Sequence, residues 1–307
     1  MNKCAVDNQR GLISVVMPTY NGEHYIAQAI ESILNQTYKK FELIIVNDCS
    51  TDNTLSVIEK YAKVDGRIRI VNNPVNRKLP ASLNIGFLHA KGEYYTWTSD
   101  DNYYGPDAFL KMLNFLRCHH DIQFVFSDYF VVDEKDAIVS KKECINQSVE
   151  EVLCKNVIGA CFLYSSELHS ELNGYDENQF LVEDYDFWLR AYQRHRFGHI
   201  GEPLYYYRIH KASLTSMRES EINERTIALL ERNLREQQCS REIKAKIALA
   251  IMERYCMAND RKYGRRYLRR AYQYSIKIAL GEPISRQLRT ILKNETVDRL
   301  LGRKAHE

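Results

Sequence analysis

Leu12-Ile13-Ser14-Val15-Val16-Met17 is an apolar run of strand length that Pro18 stops, the pattern of a strand buried on both faces. After the loop Thr19-Tyr20-Asn21-Gly22, apolar residues at Tyr25, Ile26, Ala29, Ile30, Ile33 and Leu34 fall at helical spacing and make one stripe. The alternation then repeats. Phe41 to Val46 predicts a second strand, ending in Asn47-Asp48-Cys49-Ser50. A helix capped by Ser50 or Asp52 follows, with Leu55, Ile58 and Tyr61 on its apolar face. Ile68 to Val71 predicts a third strand, and Pro80 opens a helix with Leu83, Phe87 and Leu88 inward. After Gly92 the run Glu93-Tyr94-Tyr95-Thr96-Trp97-Thr98 predicts a buried aromatic strand. Strands and helices alternating with short connections imply right-handed βαβ units and a parallel sheet covered on both faces.

Pro106 starts another helix to about His119, and Gln123 to Val132 reads as a strand. From Asp133 to Asn156 the periodicity fades into a polar loop with room for one short helix. Asn156 to Tyr164 reads as a strand with Gly159 at a close approach, and Gly174-Tyr175 marks a turn. Glu183-Asp184 heads a helix with Phe187, Trp188, Ala191 and Tyr192 inward, and Pro203 to Ile209 is a last strand ending in His210. Beyond Ser216 the spacing is helical throughout, over Ile222 to Gln238, Ile243 to Met257 and Tyr267 to Leu280, punctuated by Gly264 and Gly281. The expected fold class is α/β followed by an all-helical region, divided near residue 216.

A chain of 307 residues has room for one large domain, or for a domain with an appendage. Its net charge of +3 is unevenly placed. Residues 1–215 carry 22 Lys/Arg against 28 Asp/Glu, a net of −6, while residues 216–307 carry 21 against 12, a net of +9. Such asymmetry predicts a basic appendage that meets an anionic partner, with nucleic acid, an acidic membrane surface and an anionic polymer as candidates. No stretch approaches the ~20 apolar residues of a membrane span, and Met1 to Arg10 lacks the apolar core of a signal peptide. The expected location is therefore the cytoplasm. The eight cysteines form no Cys-x-x-Cys pair and read as reduced packing residues, and the sequons at Asn35 and Asn146 as chance matches.

The aromatic strand ends in Ser99-Asp100-Asp101-Asn102. In open α/β sheets ligands bind at the carboxyl ends of strands. Adjacent hard oxygen donors there suit Mg²⁺ or Mn²⁺ with a phosphorylated substrate, although Asp and Asn also favour ordinary polar turns. Gly-x-Gly-x-x-Gly is missing after the first strand, where Pro18-Thr19-Tyr20-Asn21-Gly22 stands, which argues against ordinary dinucleotide-dependent hydride transfer. Four segments instead closely resemble glycosyltransferase family 2. They are Val15-Val16-Met17-Pro18-Thr19-Tyr20-Asn21, Ile33-Leu34-Asn35-Gln36-Thr37-Tyr38, the stretch from Glu42 to Asp52, and Ala90-Lys91-Gly92-Glu93-Tyr94 running into Ser99-Asp100-Asp101. The resemblance covers roughly residues 12 to 215.

That family is inverting and has the GT-A fold. The resemblance thus implies a GT-A domain at residues 1–215, with a Rossmann-like, mostly parallel sheet and helices on both faces, ahead of a basic helical region at 216–307. It implies a hexosyltransferase that uses Mn²⁺ or Mg²⁺ to move a sugar from a nucleotide-sugar, a UDP-sugar first, to a glycan or lipid-linked acceptor in polysaccharide assembly. By the same resemblance Pro18, Thr19, Tyr20, Asn21, Glu23 and Asp48 hold the nucleotide. Asp48 would accept from a uracil or thymine imide N–H, but could also form a strand-end Asx turn. Asp100 would meet the ribose and Asp101 the metal, while Thr98 stands where the commoner family pattern has a further acid. Asp184 matches the catalytic base, although Glu183 and Asp184 also suit a helix N-terminus.

Tyr207-Arg208-x-His210-x-x-Ser213-x-x-Ser216 resembles the pattern after the last strand, where His210 completes the metal shell, contacts the diphosphate or simply packs. Lys78 reaches the diphosphate or is solvated. The Gln-x-x-Arg-Trp sequence of processive synthases is missing, so single addition is expected. Residues 261–270 interleave cations with aromatics, which reads as a solvated helical face, a peripheral contact with anionic membrane or, last, an RNA site, although no nucleic-acid module is present. The rival reading is a non-catalytic, degenerate GT-A domain that acts as a binding protein, and Thr98 alone favours it.

Overall fold

The computed structural model describes residues 10–145, 148–236 and 239–281. Cys4, Asn146, Gln238 and the stretch before Arg10, on which expectations also fell, lie outside the described residues. Nine strands among them form one sheet: β1 Ile13–Thr19, β2 Phe41–Asn47, β3 Ile68–Asn72, β4 Tyr94–Trp97, β5 Tyr103–Tyr104, β6 Ile122–Val132, β7 Ile138–Lys142, β8 Phe162–Ser165 and β9 Arg196–Arg208. The order is β3-β2-β1-β4-β8-β6-β9-β5, with β7 paired to β6. The alternating first half gives the expected parallel ladder β3-β2-β1-β4. Beyond it the sheet is mixed, because β8 runs antiparallel to both β4 and β6, while β9 is parallel to β6.

The helices of this part are α1 Ile26–Leu34, α2 Thr54–Val64, α3 Leu79–Leu88, α4 Ala108–Cys118, α5 Ser166–Glu171, α6 Glu183–Tyr192 and α7 Leu214–Met217. Ile13, Val15 and Met17 of β1 share a core with Ile26, Ile30 and Ile33 of α1 and with Phe109, Met112 and Leu113 of α4. On the other face Val16 and Val46 meet α3 at Gly86, where a Cβ would collide with Val16. Burial on both faces is why β1 and β2 read as apolar runs rather than alternations. Each large side chain buried there contributes about 1.5–3 kcal/mol.

Several boundaries differ from expectation for local reasons. Leu88 was expected inward with Leu83 and Phe87, but those two are buried and Leu88 is 83% exposed. Positions 83 and 87 lie one above the other on a helix, and position 88 is turned about 100° away from 87. The strand expected from Asn156 begins only at Phe162, since Gly159 sits at φ 65° with the Tyr129 ring against it. The last strand starts at Arg196 rather than Pro203. Between Asp133 and Asn156 lie a strand, β7, and a 3₁₀ turn at Val149–Leu153.

The chain divides into two compact units. The first runs to Val152 and from Asn156 to Met217; the second comprises Leu153–Lys155 and the residues from Arg218 on. The second unit holds α8 Glu219–Glu236, α9 Arg241–Met257, α10 Arg261–Tyr274 and α11 Ile276–Gly281. Gly264, expected as a break, is inside α10, where a Cβ would lie 2.9 Å from Cys256 Sγ and the bare backbone allows α9 and α10 to approach. Gly264, Tyr267, Leu268 and Ala271 form the buried stripe of α10, and its lysine and arginines lie outside that stripe. No helix among the described residues is long and apolar enough to cross a membrane.

Candidate active site

The chain runs outward from β1 through β2 to β3 and then returns to set β4 on the other side of β1. That reversal leaves a crevice at the carboxyl ends of β1 and β4, the usual ligand position in an open α/β sheet. Three loops meet there. Thr19, at the end of β1, donates its hydroxyl to Asp100 Oδ2. A Cβ on Gly22 would collide with the same carboxylate, so glycine is needed at this close approach. Asn21, at φ 57°, donates its N–H to Ser50 Oγ (3.0 Å) and accepts the Thr51 N–H (2.8 Å). Glu23 accepts the Asn53 N–H at 2.9 Å. The segment from Pro18 to Glu23 is thereby fixed on one side to the loop after β2 and on the other to the Asp100-Asp101 turn, with Tyr20 half exposed beside it.

Asp48 is buried, and its carboxylate accepts from Asn73 Nδ2 (2.8 Å), the Arg77 N–H (2.8 Å) and the Lys78 N–H (2.9 Å). A carboxylate has about four acceptor positions, so most of this one is committed to shaping the loop 73–78. The Lys78 ammonium at the end of that loop lies 5.1 Å from the centre of the Phe180 ring.

Asp101 and His210 come together from positions over a hundred residues apart, with Nε2 3.1 Å from Oδ2. Asp101 Oδ1 is buried and has no hydrogen-bond partner. Burial first, and the adjacent Asp101 carboxylate second, push Asp100 up to about 7. A partnerless buried carboxylate oxygen beside an imidazole, next to a second carboxylate, is a donor set that fits a hard divalent cation. No group of three or more His, Cys, Asp or Glu side chains suited to a metal occurs among the described residues. The protein would therefore supply two ligands and leave other positions to phosphate oxygens and water, as Mg²⁺ sites commonly do. Thr98 points elsewhere: it is 2% exposed and 2.5 Å from the Tyr205 hydroxyl.

Asp184 lies in the first turn of α6, whose buried face holds Phe187 and Trp188. Its Oδ2 accepts from Asn156 Nδ2 at 2.8 Å and its Oδ1 from the Tyr185 N–H at 2.6 Å. Burial raises its pKa above the ordinary aspartate value, against the lowering effect of Asn156. A carboxylate with that shift is a better proton acceptor than an exposed one. Its neighbours are otherwise engaged. Asp186 is 1% exposed and paired with Arg190 at 2.7 Å, and Glu183 is buried. The hydroxyl of Tyr207 lies 3.5 Å from Thr215 Oγ1; burial raises its pKa against the lowering effect of that contact, and the charges of Asp101 and Asp184 add to the rise.

The family model described as "Glycosyl transferase family 2" matches residues 14–172, a span that carries β1 to β4 and the Asp100-Asp101 turn. The chain belongs to glycosyl transferase family 2. An uncharacterized glycosyltransferase of Haemophilus influenzae is 31% identical over 226 residues, covering 69% of this chain and 70% of that protein. Another, from Rickettsia prowazekii, is 29% identical over 222 residues and 69% of each chain. Among solved structures, S. aureus TarS 1–349 in complex with UDP-GlcNAc aligns over 96% of this chain and 93% of its own at 16% identity and a TM-score of 0.68. The mannosyltransferase PcManGT from Pyrobaculum calidifontis, in complex with GDP-Man and Mn²⁺, aligns over 95% and 88% at 15% identity and a TM-score of 0.63. The fold is that of GT-A glycosyltransferases, and the protein is a glycosyltransferase of family 2.

Sequence reasoning missed four residues that shape this family 2 site. Asn73 fixes Asp48, Asn156 holds Asp184, Tyr25 packs on His210 at 5.2 Å between ring centres, and Arg208 binds the carbonyl of Asp101 at 2.9 Å. Only Arg208 carried a signal, as part of the segment from Tyr207 to His210.

Proposed function

We propose that this glycosyltransferase is a metal-dependent, inverting hexosyltransferase that moves a sugar from a UDP-sugar to a hydroxyl of a glycan or lipid-linked acceptor. The observation that carries the reading is the buried, partnerless Asp101 Oδ1 beside His210. The nucleotide complexes of TarS and of PcManGT, the latter with Mn²⁺, support the donor class and the metal.

In this reading the segment from Pro18 to Glu23 and Asp48 hold the base, Asp100 the ribose, and Lys78 the diphosphate. Asp101 and His210 hold Mn²⁺ or Mg²⁺, which when bound offsets the negative charge of the departing diphosphate. Asp184 takes the proton of the acceptor hydroxyl as that oxygen attacks the anomeric carbon from the side opposite the nucleotide, so one displacement inverts the centre. A non-catalytic reading rested on Thr98, and its burial against Tyr205 leaves the Asp101–His210 pair intact. Release of UDP from UDP-sugars tests the choice: slow, Mn²⁺-stimulated hydrolysis is expected without acceptor, and no release from any UDP-sugar supports the binding protein.

A peripheral position at the cytoplasmic face of a membrane would bring lipid-linked acceptors within reach. Arg261, Lys262, Arg265, Arg266 and Arg269 are exposed on α10, and no acidic residue occurs between Arg261 and Tyr274. Each basic residue near an anionic surface adds about 1 kcal/mol. Co-sedimentation with liposomes should then require acidic lipid and weaken as salt shortens the Debye length. Equal binding to neutral liposomes contradicts this contact.

A further inference from the structure

We infer that Arg208 is the positioning residue of the metal site, and that it makes the exposed turn between β6 and β7 part of that site. This rests on the reading of Asp101 and His210 as metal ligands. Arg208 is only 1% exposed, and its guanidinium is shared among four acceptors. Nε donates to the Asp101 carbonyl (2.9 Å) and Nη1 to the Asp133 carbonyl (3.1 Å), while Nη2 donates to Gln28 Oε1 (2.6 Å) and Asp136 Oδ1 (2.8 Å). Its own backbone N–H donates to Asn102 Oδ1 at 2.7 Å, which fixes the residue after Asp101 as well. The guanidinium carbon lies 4.5 Å from the centre of the Tyr25 ring, and that ring is 5.2 Å from the ring of His210. Each ligand is thus held through Arg208: Asp101 by its own carbonyl, His210 by way of Tyr25.

Among the described residues Asp136 is the one carboxylate on this buried cation, and Gln28 and Arg208 together hold its pKa below the ordinary value against partial burial. It sits at φ 66° in a turn that Asp133 closes by accepting the Lys135 and Ala137 N–H groups at 2.8 and 3.0 Å. The side chain of Asp136 is 45% exposed, so an accessible turn anchors a residue that reaches the strand-end carbonyl. A lysine cannot replace this hub, because an ammonium offers three donors from one point and no planar fork to span Asp101, Asp133 and Asp136. The arrangement predicts that metal affinity depends on the β6–β7 turn, although no residue of that turn is a ligand.

The test is calorimetric titration of Mn²⁺ into the full chain with UDP present, for wild type, Arg208→Lys and Asp136→Asn, beside the metal-free affinity for UDP and the thermal midpoint. Arg208→Lys is expected to weaken Mn²⁺ binding at least tenfold and Asp136→Asn about threefold or more, both with metal-free UDP binding within twofold of wild type. Asp136→Asn replaces a half-exposed side chain and decides the matter alone if Arg208→Lys does not fold. Mn²⁺ affinity within twofold of wild type in the folded variants, with only the thermal midpoint lowered, assigns Arg208 to stability and overturns the inference. A wild-type chain that binds no Mn²⁺ removes the metal reading, and this inference with it.

Discussion

Asp184→Asn should lower the transfer rate by about 10²–10⁴-fold while leaving donor affinity close to wild type. The asparagine keeps the shape and one oxygen for the Tyr185 N–H, and it removes only the basic carboxylate. That loss corresponds to about 3–5 kcal/mol of barrier. It should appear in kcat rather than in the donor KM, because the missing interaction is made chiefly as the acceptor hydroxyl loses its proton. Burial raises the pKa of Asp184 above 3.8, so the base is lost as pH falls through a value higher than that of a free aspartate. The acid limb of the wild-type rate profile should lie correspondingly high and be missing from the variant. A fall of less than about tenfold is too small for a lost base and leaves Asp184 a helix-terminal residue. The search for the base would then move to Glu183 or Asp186.

The second large effect belongs to Asp101. Its Oδ1 is buried without a partner, and Oδ2 faces His210, so Asp101→Ala removes the sole carboxylate of the proposed ligand pair. Loss of a residue one shell outside a metal commonly costs 10–100-fold in affinity, and a ligand itself should cost at least about as much. The fold should survive, because the contact that ties this turn to the core is the Asp101 backbone carbonyl on Arg208, which the substitution retains. Metal-free UDP binding should survive as well. The Thr19–Asp100 clasp and the loop built on Asp48 do not involve the Asp101 side chain.

Segments whose environment repeats along the chain were legible from the sequence. β1 and β2 are covered on both faces and read as apolar runs, and α1 buries one stripe and reads as a helix. β7 was not legible, since all five of its residues are exposed and pair only with one edge of β6, leaving no alternation to detect. The same division holds in the candidate site. Asp100, Asp101, Asp184 and His210 stand at element ends that periodicity marks, and the structure brings Asp101 and His210 into contact. The surroundings that decide what these groups can do come from far along the chain. Arg208 reaches Gln28 across 180 residues, and Asp48 is held by three donors from a loop beginning 25 residues later. Pairings at such separations follow from tertiary packing, which no local spacing encodes.

The central claim is that the strand-end Asp101 and His210 hold a divalent cation that serves the nucleotide. Its most direct test is calorimetric titration of UDP into wild type and Asp101→Ala, each with and without Mn²⁺. The account predicts that Mn²⁺ strengthens UDP binding to wild type and has no effect on the variant, whose metal-free affinity equals that of wild type. Equal Mn²⁺ enhancement in both proteins would contradict it and remove Asp101 from the metal site.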